Sequence, residues 1–370
     1  MKEIKQVFVP PDIEIQKILS KGINFEHIFI PYKKGDQVLK PEEWISIKNN
    51  LKEMEFKQVA DLGFTHVRLN LGRGFIQNLN PPYPLLPEGL ALLDQAVQMA
   101  LKNNLGIVLD MHQTPSPDIF HDSQAFEAYL VLWRTLAAHY ARQPVSVVFE
   151  LMNEPFFPEL AKPEPEPKDL DHWRMIMRDL IVAIHKEEPN RYIIVSGGGP
   201  GGDRDLMQMG NLNLPRLIYS FHEYQPFIFT HQGAGWPKPP LSGIKDIHYP
   251  LPESEVNKVR AEVKQTDNDN WPYHTYPHGF NRGDMSRKIQ VTSTFAKNEK
   301  LLLYCGEFGV HKPYAPPEDR ARWIADMVGL FKENNISWAM WAYHAHFDLV
   351  DEKGDPEPLL VEALSLLPAG

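Results

Sequence analysis

The chain has 370 residues, 43% of them hydrophobic and 23% charged, enough for one large α/β barrel or two ordinary domains around a sizeable core. A formal net charge of -10, spread without long acidic runs, argues against nucleic acid and anionic membranes as partners. The lone cysteine, Cys305, excludes an intrachain disulfide, and no apolar stretch reaches the length of a membrane span. Residues 1–6 lack the apolar core of a secretory leader. Secretion is therefore expected only if a leader has been removed, and a cytoplasmic location otherwise.

Apolar runs of strand length alternate with amphipathic stretches along the whole chain. The first strand, 22–28, carries Asn24 and is followed by a helix over 42–62. A strand at 65–70 contains Arg68. The spacing of Leu92 and Ala96, and of Leu93, Val97 and Leu101, predicts a helix over 88–103. A third strand, 106–111, leads into His112, and a helix covers 123–141. The fourth strand, 145–152, runs into Asn153, Glu154 and the breaker Pro155. A stiff loop rich in Pro and Glu, 156–167, precedes a helix over 169–188. Strand 192–196 is followed by a weakly marked helix at 203–209.

The sixth strand, 217–222, ends in His222, Glu223 and Tyr224, then opens the long segment 225–283. That segment carries His231, Trp236, Trp271, Tyr273 and Tyr276. Loops of this length are uncommon and usually functional, and the aromatic content suits one wall of a carbohydrate cleft; the alternative is a surface excursion packed on the barrel. A helix over 285–300 and a strand over 301–306 lead to Glu307 and the breaker Gly309. A helix over 317–334, a strand over 337–341 ending in Trp341, and a helix over 358–366 complete the chain. Eight apolar strands with interposed helices predict a single (β/α)8 TIM barrel over 1–370, with a long loop after strand six. Neither an internal repeat nor a low-complexity linker points to a second domain.

Glu154 and Glu307 each close an apolar strand, and the carboxyl end of a parallel barrel strand is where such barrels do chemistry. Two carboxylates meeting across one site suit an acid and a nucleophile for cleaving a glycosidic bond. Asn24, Arg68, His112, Asn153, His222, Tyr224 and Trp341 join them at the same strand ends. Glu150 shares the face of Glu154 four residues deeper, which suits a barrel-interior partner of Arg68 or a histidine. Glu223 alternates to the opposite face and is expected to be structural. Cys305 is expected to be a buried core thiol.

Asn153-Glu154-Pro155 after a strand and Gly306-Glu307-Phe308-Gly309 near the end resemble glycoside hydrolase family five, the cellulase family. The resemblance extends in order through Arg68, His112, His222, Tyr224 and Trp341, from residue 22 to about residue 366. It implies retaining hydrolysis of β-linked polysaccharides, most often β-1,4-glucans, with no metal or other cofactor. On this reading Glu154 is the acid/base, keeping its proton through partial burial beside another carboxylate. Glu307 is the nucleophile, kept ionised by donors such as Arg68 and Tyr224, and a carboxyl separation of about 5 Å is expected. Asn153 would bond the sugar 2-hydroxyl, His112 and His222 would bind hydroxyls or orient the acid/base, and Trp341 would stack on a pyranose ring.

After strand eight, His344 and His346 stand where relatives carry a glycine-bearing Gly-Phe segment, so they are expected to reshape a subsite. His231 and Trp236 are further candidates to bind sugar. A β-mannanase or another β-glucan hydrolase would use the same catalytic set. A metal-dependent hydrolase is disfavoured, since no His-x-His closes strand one and no HExxH occurs. A non-catalytic carbohydrate-binding barrel is disfavoured because both carboxylates are present. The expected partner is a β-linked polysaccharide or oligosaccharide, and the expected state a monomer.

Overall fold

A computed structural model describes residues 13–29, 41–112, 118–237, 240–257, 259 and 281–366, the side chains of 41–44 excepted. Trp271, Tyr273 and Tyr276, and the leader question at residues 1–6, lie outside the described residues. The eight strands are β1 (Gly22–Phe29), β2 (His66–Leu71), β3 (Gly106–Met111), β4 (Val147–Glu150), β5 (Ile193–Ser196), β6 (Leu217–Glu223), β7 (Leu303–Phe308) and β8 (Ser337–Met340). They pair in parallel in chain order, and β8 closes on β1. All eight carboxyl ends therefore face the same rim.

The helices follow the predicted alternation, with differences at several points. They are α1 (Ile13–Ile18), α2 (Pro41–Asn50), α3 (Glu53–Asp61), α4 (Arg73–Ile76), α5 (Pro87–Lys102), α6 (Ser123–Tyr140) and α7 (Pro167–Glu187). Then come α8 (Asp203–Met209), α9 (Phe227–Thr230), α10 (Arg282–Glu299), α11 (Pro317–Asn334) and α12 (Pro358–Ala363). Much of the proline content is used at helix starts. Pro87, Pro167, Pro317 and Pro358 each occupy the first helical position, where a missing N–H removes no intrahelical bond. Asp122 caps α6 by accepting from the backbone N–H of Gln124 at 2.8 Å. Lys300 and Asn335 end α10 and α11 in left-handed backbone.

The helix expected over 42–62 is two helices. Lys52 is extended between them, and Asn50 turns its amide away to donate to the carbonyl of His27 on β1 at 3.1 Å. The short helices α1, α4 and α9 were not expected. In α1, Ile15 and Leu19 just beyond it plug the amino end of the barrel, packing with Val108, Val148, Ile194, Ile218 and Tyr304. A larger apolar layer fills the space between barrel and helices. Long segment 225–283 is partly core. Leu241, Ile244, Ile247 and Tyr249 are buried, and the Gln232 amide bonds Ile247 through both its donor and its acceptor.

Candidate active site

Arg68 organises the carboxyl end of the barrel. Inward alternation along β2, β3 and β4 stacks Arg68 beside Asp110 and Glu150, all fully or almost fully buried. Its guanidinium donates to both oxygens of Glu150, at 2.7 and 2.9 Å, and pairs with Asp110 at 3.0 Å. Further bonds reach Asn24 at 2.9 Å, Asn153 at 2.9 Å and Glu307 at 2.8 Å. One planar cation on β2 thus fixes groups from β1, β3, β4 and β7. Glu150 is the interior partner expected from its place four residues below Glu154.

Glu307 reaches this cluster through a bulge. Strict alternation from inward-facing Tyr304 would turn Glu307 outward. Between β6 and β7, however, Phe221 pairs with Cys305 and His222 with Glu307, so one extra residue is inserted. That residue is Gly306, where a Cβ would lie 2.9 Å from Ser220 Oγ and 3.1 Å from His222 Nε2. With Glu307 turned inward, Tyr224 donates to its Oε2 at 2.9 Å while Arg68 donates to its Oε1. Glu154 lies across from it, and His222 Nδ1 donates to Glu154 Oε1 at 2.8 Å. One oxygen of Glu154, one of Glu307 and a nitrogen of His222 fall within 4.8 Å of one another. The side chain of Glu154 is 37% exposed and that of Glu307 only 7%.

The surroundings push the buried carboxylates in different directions. Burial works to raise the Glu307 carboxyl, but His222, Arg68 and His112 outweigh it and hold the group below the usual range. Burial likewise opposes a charged His222, and Glu307 with Glu154 carries it above the ordinary histidine value. Asp110 is held low, against burial, by Arg68 and His112. Glu150 is pushed up by burial despite Arg68. The Tyr224 hydroxyl is pushed far up by burial and by Glu307, so it remains a donor.

The other expected residues are distributed around this pair. His112 gives its Nδ1 proton to Asp110 at 2.7 Å, and its Nε2 lies 3.4 Å from the Asn153 amide. Half-buried Trp341 stacks on His112 with ring centroids 5.3 Å apart. Asn24 is fully buried, its amide donating to the carbonyls of Gly306 and Met340. Asn24 and Arg68, both wholly buried, lie behind the surface of the cleft. Glu223 turns outward to Lys288 of α10 at 2.6 Å. Cys305 is buried.

Trp236 is exposed and packs edge-on to His311. His231 differs from expectation: it is buried, stacked on Phe227 at 3.8 Å and set edge-on to Tyr224, and burial pushes its pKa down to about 3. It packs behind Tyr224, closed off from solvent. His344 stands at the rim beside His27 and Tyr343, and His346 is exposed.

Over residues 29–347 the chain matches the family described as Cellulase (glycosyl hydrolase family 5). The chain belongs to glycosyl hydrolase family 5. Endoglucanase C of Acetivibrio thermocellus is 27% identical to it over 326 residues, spanning 86% of this chain and 90% of its own length. Cellodextrinase A of Ruminococcus flavefaciens is 27% identical over 303 residues, spanning 79% and 78%. The structure of Thermotoga maritima Cel5A with cellobiose shares the fold, with TM-score 0.74 at 23% identity over 95% of this chain and 99% of its own. Retention is general in family 5, and one oxygen of Glu154 lies within 4.8 Å of one oxygen of Glu307.

Two parts of this family 5 site went unread in the sequence. Asn70 and Asp110 orient His112, and only alternation along β2 and β3 hinted at their inward direction. The glycine-rich turn after β5 seats Glu154. Gly201 has φ +80°, and its carbonyl accepts from the backbone N–H of His222 at 2.7 Å. A Cβ there would lie 3.0 Å from Glu154 Cγ and 3.3 Å from His222 Nδ1. Gly201→Ala is expected to lower kcat by roughly 10–100-fold through displacement of Glu154, with little change in KM. Steady-state kinetics on a soluble substrate tests this, and unchanged kcat would remove the turn from the catalytic frame.

Removing the positive charge of His222 raises the Glu307 pKa, so Glu307 loses its charge at higher pH. His222→Asn is therefore expected to shift the acidic limb of kcat/KM to higher pH, as read from the free enzyme's pH profile. An unmoved limb would leave Arg68 as the group that sets it.

Proposed function

We propose that this family 5 hydrolase is a monomeric endo-β-1,4-glucanase whose catalytic barrel occupies the whole chain. The observation that carries the mechanism is the pairing of a half-exposed Glu154 with a buried Glu307 held by Arg68 and Tyr224. Glu307 attacks the anomeric carbon, and Glu154 gives its proton to the departing glycosidic oxygen. Glu154 then takes a proton from the incoming water, which displaces Glu307 from the opposite face. The configuration is thereby retained. His222 holds Glu154 in reach, while Asn153, tied to Arg68, is set to bond the 2-hydroxyl where that bond strengthens in the transition state. Trp341 and His112 supply a flat face for a pyranose ring.

The name Endoglucanase C and the cellobiose complex of the Thermotoga enzyme support a β-1,4-glucan as substrate. A mannan is the second reading, because the same Thermotoga enzyme is also described in complex with mannotriose. Reducing-sugar release on carboxymethylcellulose, mixed-linkage β-glucan and mannan decides between them. We expect glucan cleavage with a fall in viscosity that outpaces sugar release. Cleavage of mannan alone would replace the substrate and keep the mechanism.

A further inference from the structure

Away from the catalytic pair, a second set of metal-ligating side chains converges at the rim where the barrel closes. Between Phe25 and Phe29, β1 carries two more residues than β2 carries between their partners Leu69 and Leu71. This irregular segment holds Glu26 and His27. His27 Nε2 lies 2.9 Å from Glu55 Oε2 on α3. From the turn after β8, His344 places its ring edge-on to His27 with centroids 4.8 Å apart. One nitrogen of each histidine and one oxygen of Glu55 lie within 4.8 Å of one another.

A fourth group stands behind them. His27 Nδ1 faces Glu26 Oε2 at 3.7 Å, too far for a hydrogen bond. Both atoms are buried and lack a hydrogen-bond partner among the described residues, and Glu26 is only 3% exposed. An almost wholly buried carboxylate is costly unless a cation stands beside it, and either a protonated His27 at 3.7 Å or a metal ion held by His27 would meet that need. The ring of Tyr343 stacks on His27 at 5.6 Å, and Asn50 holds the His27 carbonyl, so the imidazole is fixed from two sides.

We propose that His27, Glu55 and His344 form a binding site for a divalent transition metal of the zinc type, with Glu26 behind it. Two imidazoles and one carboxylate suit this class of ion and leave a fourth position for water, whereas calcium and magnesium prefer oxygen alone. Metal–ligand bonds of about 2.0–2.1 Å put tetrahedral ligand atoms roughly 3.3 Å apart. Glu26 then accepts the Nδ1 proton of His27, fixing the tautomer that turns the Nε2 lone pair toward the metal. The ion would tie α3 and the turn after β8 to β1, across the seam between the first and last strands.

Calorimetric titration of the chelator-treated full-length protein with zinc chloride tests the site. The wild type and Glu307→Gln are both expected to bind one equivalent, since the catalytic carboxylates are not the ligands. His344→Ala and Glu55→Gln are expected to weaken binding by at least about tenfold, and Glu26→Gln by roughly tenfold at unchanged stoichiometry. Half-buried His344 can be truncated without opening the core, and a thermal melt of metal-free His344→Ala verifies its folding. The wild type is also expected to melt at a higher temperature with zinc, and metal-depleted or zinc-saturated His344→Ala to melt alike. Absence of zinc binding would overturn the proposal and leave an ion-pair cluster. Binding lost in Glu307→Gln but kept in His344→Ala, or equal in every variant, would overturn it as well.

Discussion

Glu307→Gln is expected to lower kcat by at least about a thousandfold on polysaccharide while leaving the melting curve near that of the wild type. The amide keeps the size of the carboxylate but cannot attack the anomeric carbon, and loss of a nucleophile removes the covalent route outright. Glu154→Gln is expected to fall by about 10²–10⁴-fold on the same substrate, because the leaving oxygen departs without its proton. The two losses have different signatures. A substrate with an activated phenol as leaving group needs no acid, so Glu154→Gln should form its glycosyl-enzyme readily. Azide added to Glu154→Ala should yield a β-glycosyl azide, since it replaces water at the second step. Azide added to Glu307→Gly should instead attack from the vacated face and yield the α-azide. Identifying the azide anomers by NMR would reverse the two assignments if the products were exchanged, and near wild-type turnover in either variant would remove that residue from the mechanism.

Arg68→Met is expected to be the most damaging single change to the fold. Arg68 is wholly buried and faces Glu150, Asp110 and Glu307 within 3.0 Å. Its removal takes the shared guanidinium from three inward carboxylates, leaving Asp110 and Glu307 only their histidine neighbours, and breaking a buried pair in this way costs about 3–5 kcal/mol. Chemical denaturation should show that loss, or the variant should fail to accumulate in soluble form. Arg68→Lys separates fold from catalysis. A lysine keeps the charge but cannot hold both Glu150 oxygens and reach Glu307 as well. Its expected signature is a folded protein whose kcat/KM is lower by roughly 10–100-fold, the equivalent of one charged hydrogen bond. Full activity in Arg68→Lys would show that charge alone suffices and that the planar fork is dispensable.

Much of this site follows from strand periodicity. The eight apolar runs, their order and the polar residues at their carboxyl ends are local properties of the chain. Once the strands are parallel and closed, those ends must share a rim. Alternation along β4 places Glu150 below Glu154, and alternation along β6 turns Glu223 away from His222, as the Lys288 pair bears out. The helix at 203–209, weakly marked by its residues, forms over Asp203–Met209. The single helix read over 42–62 is interrupted at extended Lys52, beside an Asn50 side chain that donates to β1, a partner its own segment does not reveal.

What the amino-acid order determined by itself, then, is the barrel, its catalytic rim and the two carboxylates that close β4 and β7. The tertiary structure alone decided how those carboxylates are aimed and held. Period two from Tyr304 turns Glu307 outward, and only pairing with β6, which admits Gly306 as an extra residue, turns it in. The donors that distinguish Glu307 from Glu154 arrive from positions 239, 83 and 68 residues away in the chain, through Arg68, Tyr224 and His222. The turn that seats Glu154 comes from β5, and the rim cluster joins β1, α3 and the turn after β8. Side-chain period is a property of each strand, whereas these contacts arise only when the barrel closes, because closure alone sets distances between residues so far apart in sequence.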